Sequence, residues 1–174
     1  MGNSSYEGKE WSSFFVHSVS KSIKSVLDIG AGQGTYYHVL NRYIPEAVWS
    51  CVEAWQPYID NFGLKNFYTN IYNEDVRTFD ASGYSYDLVI AGDVLEHMSK
   101  DDALAVFAKF KPICKYFIIS IPIIKWPQDA INDNHYEIHV KDDWSHNEIM
   151  ESFPDVVNFY CGQQIGVYVL KGDL

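Results

Sequence analysis

The sequence predicts an α/β protein built on a seven-stranded, mostly parallel sheet, and three observations carry that expectation. Short β-rich apolar runs alternate with amphipathic stretches from residue 25 onward, the pattern of helices packed on a sheet. Helical stretches lie between most of the first five runs, as right-handed crossovers require. The last two runs, "VVNFYC" and "IGVYVL", are separated only by "GQQ". That is too little for a crossover helix, so these two runs form an antiparallel hairpin and reverse the last strand.

The candidate strands are Ser25 to Ile29, Val48 to Glu53, Asn66 to Ile71, Tyr86 to Ala91, Tyr116 to Ile121, Val156 to Cys161 and Ile165 to Leu170. Helix signals fit between them. Ser99 and Asp102 form a capping box ahead of Leu104, Phe107 and Ala108, with Pro112 as the stop. Ser145 and Glu148 repeat the device before Ile149, Met150 and Phe153, closed by Pro154. Residues 122–144, with two prolines and an Asn/Asp cluster, read as a long functional loop.

A chain of 174 residues reads as one domain, 1–174, able to bury about two-thirds of its unfolded surface. No apolar run reaches the roughly 20 residues that span a bilayer. The start "MGNSSYEGKEW" has no apolar signal region, and Tyr6 breaks the myristoylation pattern. Cys51, Cys114 and Cys161 are odd in number and far apart, and read as reduced core residues of a cytoplasmic protein. A net charge of −10 repels polyphosphate backbones and disfavours nucleic acid. Lys109, Lys111, Lys115 and Lys125 read as solvated surface.

The stretch "SVLDIGAGQGTYY" places three glycines in five positions behind a strand. Missing Cβ atoms let a ligand approach the backbone. The spacing Gly30, Gly32, Gly34 is not the dinucleotide fingerprint, and no Lys-Ser/Thr pair makes a phosphate loop. With Asp28 ahead of it, the stretch resembles motif I of the class I S-adenosylmethionine-dependent methyltransferases, and more narrowly their compact bacterial and phage members.

That resemblance implies a three-layer Rossmann-like fold with strand order 3-2-1-4-5-7-6 and strand 7 antiparallel. It implies S-adenosyl-L-methionine as cofactor, with Asp28, Gly30, Gly32 and Gly34 around it and Glu53 accepting both ribose hydroxyls. Asp75 in "NEDVRTF" matches the acceptor of the adenine amino group, with the Val76 N–H at the ring nitrogen. Ala91 and Gly92, in "YDLVIAGDVLEHM", border the methionine part, and Trp55 and Tyr58 flank the adenosine. Ordinary structural accounts stand beside these: Asp28 capping the glycine turn, Glu53 a solvated strand end, Asp75 a turn residue, and both aromatics packing in a helix.

Methyl transfer needs an aligned nucleophile, and histidine is the natural base near neutral pH. In "NHYEIH", His135, Glu137 and His139 share a face if extended, and the two histidines share one if helical. His135, His139 and Asp93 are therefore the catalytic candidates, with residues 122–144 as the acceptor wall and residues 1–24 as an arm, bearing Trp11, Phe14, Phe15 and Val16, that covers the cofactor as a helix. No metal is expected. The alternative set is Asp93, Glu96, His97 and His139, because "DVLEH" resembles the metal-binding segment of small-RNA terminal methylases and ubiquinone O-methylases, although metal-free members carry it too. The acceptor is expected to be a small molecule methylated on oxygen or nitrogen. The other functions the sequence leaves open are a cofactor-binding scaffold without turnover and methylation of protein or nucleic acid.

Overall fold

A computed structural model describes residues 6–174. The reading of the extreme N-terminus concerns mainly residues 1–5, which lie outside the described residues. The strands are β1 (Ser25–Ile29), β2 (Val48–Val52), β3 (Asn70–Tyr72), β4 (Tyr86–Gly92), β5 (Cys114–Pro122), β6 (Val156–Cys161) and β7 (Ile165–Lys171). They form one seven-stranded sheet in the order β3-β2-β1-β4-β5-β7-β6. All neighbours are parallel except β7, which runs antiparallel to both β5 and β6. The helices are α1 (Lys9–Val19), α2 (Thr35–Leu40), α3 (Gln56–Asn61), α4 (Lys100–Phe110) and α5 (His146–Ser152).

The central strands are apolar on both faces because helices cover both. Leu27, Ile29, Val89, Phe117, Ile119 and Leu170 pack against α4 and α5 through Val106, Phe107, Phe110 and Ile149. Val26, Leu88, Ile90, Ile118, Val167 and Val169 face the other way, against Val16 of α1 and Tyr36 and Leu40 of α2. Strand alternation puts Asp28 on this second face. Both capping serines act as read: Ser99 Oγ accepts from the Asp102 N–H and Ser145 Oγ from the Glu148 N–H.

Three expectations need correction. The third strand begins at Asn70, not Asn66, because Gly63 at φ 62 starts a 3-10 turn over Leu64–Asn66. Phe67 and Tyr68 then turn inward to pack on Tyr37. Cys161 is exposed at the end of the edge strand β6, whereas Cys51 and Cys114 are buried. Lys109 donates to the Val76, Arg77 and Phe79 carbonyls, Lys111 pairs with Asp155 and Lys115 with Asp87. These three lysines are thus engaged with backbone carbonyls and carboxylates and are not simply solvated.

Helix α1 docks by a stripe at helical spacing, Lys9, Ser12, Ser13 and Val16, all buried. Serines are small enough to let the helix approach β7. Phe14 points outward. Glu7, just ahead of α1, accepts from the backbone N–H groups of Gln163, Gln164 and Ile165 in the β6–β7 turn. Among the described residues no helix is long and apolar enough to cross a membrane.

Candidate functional site

Two adjoining cavities open at the carboxyl ends of β1, β2 and β4, where open α/β sheets bind ligands. The smaller, about 100 Å³, is lined by Gly30, Gly32, Glu53, Tyr58, Asp75, Val76, Arg77 and Tyr136 among others. The larger, about 340 Å³, is bounded by Asp28, the loop 30–33, Tyr36, Gly92, Asp93, Glu96 and residues of the 122–144 loop. They share Gly30, Gly32, Tyr58, Asp93, His97 and Glu137.

The glycine loop is shaped by backbone conformation more than by crowding. Gly32 sits at φ 51, and a Cβ there would meet only the Gly30 carbonyl, at 3.9 Å; a side chain would be strained by the left-handed backbone. Gly92 is required for space, since a Cβ would fall 2.0 Å from the Tyr36 ring. Glu53 closes the loop from below. Its Oε2 accepts the Gly32 N–H at 2.9 Å and its Oε1 the Trp55 N–H at 2.8 Å. Each carboxylate oxygen has a second lone pair to offer. Burial pushes the Glu53 pKa up against those two hydrogen bonds.

Asp28 is buried at the floor of the larger cavity and accepts from the Tyr68 hydroxyl at 2.6 Å. Burial dominates its titration and raises its pKa to about 7, helped by nearby Glu53 and opposed by the Tyr68 hydrogen bond and Lys9. Asp75 holds Arg77 by hydrogen bonds to Nε and Nη2. Burial lifts its pKa, but the Arg77 contacts outweigh that and leave it below the ordinary value.

Asp93 adopts a left-handed backbone, φ 55, which its short side chain tolerates. Its N–H donates to the Ser120 carbonyl, and Ser120 Oγ donates to Asp93 Oδ1 at 2.8 Å. Lys9 Nζ donates to Asp93 Oδ2 at 2.6 Å, although Lys9 lies at the far N-terminal side of the chain and is only 1% exposed.

The 122–144 loop folds back over the larger cavity. Trp126, Gln128, Ile131, Glu137 and His139 line it. Tyr58 donates to Glu137 Oε1 at 2.8 Å, and Gln128 Nε2 to the Glu137 carbonyl at 2.7 Å. Burial and the Glu137 carboxylate together raise the Tyr58 pKa to about 12, so it stays a donor. His97 Nδ1 faces the Ile138 carbonyl and His139 Nδ1 the Trp126 carbonyl. A carbonyl only accepts, so each Nδ1 carries the proton, and each Nε2 is left with its lone pair in the neutral ring. Burial, then the neighbouring His139, lowers the His97 pKa. Glu96 is buried, its Oε2 has no hydrogen-bond partner, and burial raises its pKa well above the carboxylate range.

Of the residues selected from sequence, Asp28, Gly30, Gly32, Glu53, Asp75, Val76, Gly92, Asp93, Glu96, His97 and His139 meet at these cavities. Four do not line them. Gly34 shapes the loop at φ 73, and Ala91 is fully buried in the core behind Gly92. Trp55 contributes its backbone N–H to Glu53, while Tyr58, one turn on, presents the aromatic side chain to both cavities. His135 is exposed and lines neither. The segment is neither continuous strand nor helix: Asn134 caps a 3-10 turn over His135–Glu137, and Ile138 then extends. That geometry separates His135 from His139 and leaves Glu137 and His139 facing inward. Lys9, Gln128 and Tyr58 are the participants that sequence reading passed over or undervalued. For Lys9 a signal existed in the Lys9, Ser12, Ser13, Val16 stripe, which marks the face of α1 turned to the protein.

Comparison with known proteins bears on the family and the fold. A family model described as "Methyltransferase domain" matches residues 26–116. No curated protein matches in sequence. Among solved structures, the chain is similar to the plantazolicin methyltransferase BpumL in complex with SAH, at 12% identity, TM-score 0.67, covering 95% of this chain and 82% of that one. It is similar to the N-terminal domain of EvdMO1 with SAH bound, at 13% identity, TM-score 0.69, with coverage of 96% and 82%. It is also similar to an S-adenosylmethionine-dependent methyltransferase from Clostridium acetobutylicum ATCC 824, at 12% identity, TM-score 0.69, with coverage of 97% and 93%. At such identities the likeness is one of fold.

Proposed function

The chain belongs to the methyltransferase domain family, and we propose that it transfers a methyl group from S-adenosylmethionine to an oxygen or nitrogen of a small molecule held in the larger cavity. S-adenosylmethionine is the cofactor; when bound, its sulfonium supplies an activated methyl group. Residues at the site fit it. Glu53 offers a buried two-oxygen acceptor suited to a ribose diol, and Asp75 and Val76 lie where the adenine edge would rest. The sulfur end then faces the larger cavity through the shared wall of Gly30, Gly32 and Asp93.

The observation that carries the acceptor reading is the 122–144 loop lying over that cavity, about 340 Å³, with Trp126, Gln128, Ile131 and His139 on its wall. The donor's methionyl tail and a small acceptor would share that volume. Within it, His139 Nε2 is the base we assign for an acceptor proton, while Trp126 and Ile131 exclude water. Asp93 acts as a positioning residue through its contacts with Lys9 and Ser120, and does not take the proton. The SAH bound to BpumL and EvdMO1 supports the donor assignment, and the whole chain 1–174 is read as a single catalytic unit.

Incubation of the protein with methyl-labelled S-adenosylmethionine and a small-molecule extract tests this reading. Label is expected in a product of low mass, and His139→Ala should slow transfer by about 100-fold while SAH still binds. Label confined to protein or nucleic acid would overturn the acceptor class. Tight binding without any transfer would indicate a scaffold.

One observation favours a metal-assisted variant. Glu96, His97 and His139 offer ligand atoms within 4.8 Å of one another, and both histidines have Nδ1 fixed by a carbonyl, the usual outer support of an imidazole ligand. Asp93 is not of this set, because Lys9 and Ser120 engage its two oxygens. Two imidazoles and a carboxylate suit a divalent transition ion, which would supply Lewis acidity to an acceptor hydroxyl. Calorimetric titration of chelator-treated protein with Mn²⁺, Co²⁺ or Zn²⁺ should show one saturable site, weakened about 10-fold or more in His139→Ala. Absence of saturable binding in the wild type would remove this variant.

A further inference from the structure

We propose that Lys9 binds the carboxylate of the donor's methionyl tail, so that helix α1 belongs to the cofactor site. The inference rests on the donor assignment above and adds to it a residue outside the matched family segment, 26–116.

The charge of the larger cavity is the starting point. Asp28, Asp93, Glu96 and Glu137 line it, and Lys9 is the only lysine or arginine among the described residues that do so. A ligand with an ammonium and a carboxylate on one carbon meets acidic groups on nearly every side. Its ammonium is well served by them. Its carboxylate finds a side-chain cation only at Lys9 among the described lining residues.

Placement agrees with charge. Adenosine bound at Glu53 and Asp75 occupies the smaller cavity, and the tail leaves it across the shared wall of Gly30, Gly32 and Asp93. Behind Gly92 the way is closed, since Ala91 is core and the Tyr36 ring fills the space beside Gly92. Lys9 Nζ stands 5.7 Å from the centroid of that same ring and 2.6 Å from Asp93. The tail is thus led along Gly92 toward the ammonium.

Energetics explain why the lysine is kept. Burying an ammonium is costly unless charges of opposite sign surround it. A link that only fastened α1 to β4 would be served as well by apolar side chains in the stripe already formed with Val16. A second carboxylate arriving with the ligand gives the buried charge a use in binding.

The test compares three ligands by calorimetry on wild type and Lys9→Met: SAH, its decarboxylated analogue, which keeps the ammonium, and methylthioadenosine, which lacks the whole tail. Wild type should bind SAH about 10- to 100-fold more tightly than the decarboxylated analogue, the range of a charge-assisted contact. In Lys9→Met that preference should vanish, with affinity for methylthioadenosine unchanged. Equal weakening of all three ligands would mean a packing role and overturn the inference. So would equal affinity of wild type for SAH and its decarboxylated analogue, a result that needs no variant to fold. Wild type that binds none of the three would overturn the donor assignment itself, and Lys9's role with it.

Discussion

Replacing Glu53 by alanine is expected to weaken SAH binding by about 100-fold or more, since two hydrogen bonds to a charged acceptor contribute about 1.5–3 kcal/mol each. The carboxylate holds the loop and lines the smaller cavity at once. Its oxygens accept from Gly32 and Trp55, and on the proposed function their remaining lone pairs take the ribose diol. Glu53→Gln should be nearly as damaging, because one oxygen becomes an NH₂ donor set against a backbone N–H. Adenosine alone should lose affinity by the same factor as SAH in both variants, which separates this effect from that of Lys9→Met. Calorimetry on folded variants, checked by thermal melts, reads it. An affinity for adenosine unchanged by Glu53→Ala would refute the ribose assignment.

Asp28→Asn is expected to make the protein more stable above neutral pH, with the wild type losing ground as pH rises. An acid whose pKa is raised by folding adds stability that is complete below its unfolded pKa and is lost as pH climbs through the folded one. For Asp28 that window runs from 3.8 to about 7, and it corresponds to about 4 kcal/mol. Asparagine cannot ionise, and its carbonyl oxygen still accepts from Tyr68. Denaturant unfolding should therefore show the variant ahead by about 2–4 kcal/mol near pH 8, with the gap closing toward about pH 4. Glu96, also raised by burial, titrates in both proteins and cancels in the difference, whereas Glu53 faces Asp28, so part of the gap is relief of that like-charge contact. A gap independent of pH would exclude Asp28 as the titrating group.

The reversed seventh strand was legible from spacing, since only three residues precede the last strand, whereas the strand order came with the resemblance carried by the glycine loop and the residues downstream of it. That Gly30, Gly32, Glu53, Asp75 and Val76 meet at one cavity was legible because they lie at or just beyond strand ends, where position along the chain dictates position in space. Side-chain direction was less accessible. Trp55 and Tyr58 lie one turn apart, and only the packed structure shows that Tyr58 reaches the cavities. His135 and His139 depended on the local conformation of an irregular loop, and the Asn134-capped turn sets them apart. Lys9 was obscured by a sound general rule, that a lysine in a short amphipathic helix is solvated; burial was set by how α1 docks on a sheet formed much later in the sequence.

The strap from Glu7 to the β6–β7 turn joins groups 156 to 158 residues apart. Contacts of that range are late events in folding, because their loop-closure cost precedes their reward. The larger cavity draws walls from both ends of this span, Lys9 and Ile165. On that ordering the larger cavity is walled on every side only once the final hairpin is paired, whichever part of the chain emerges first.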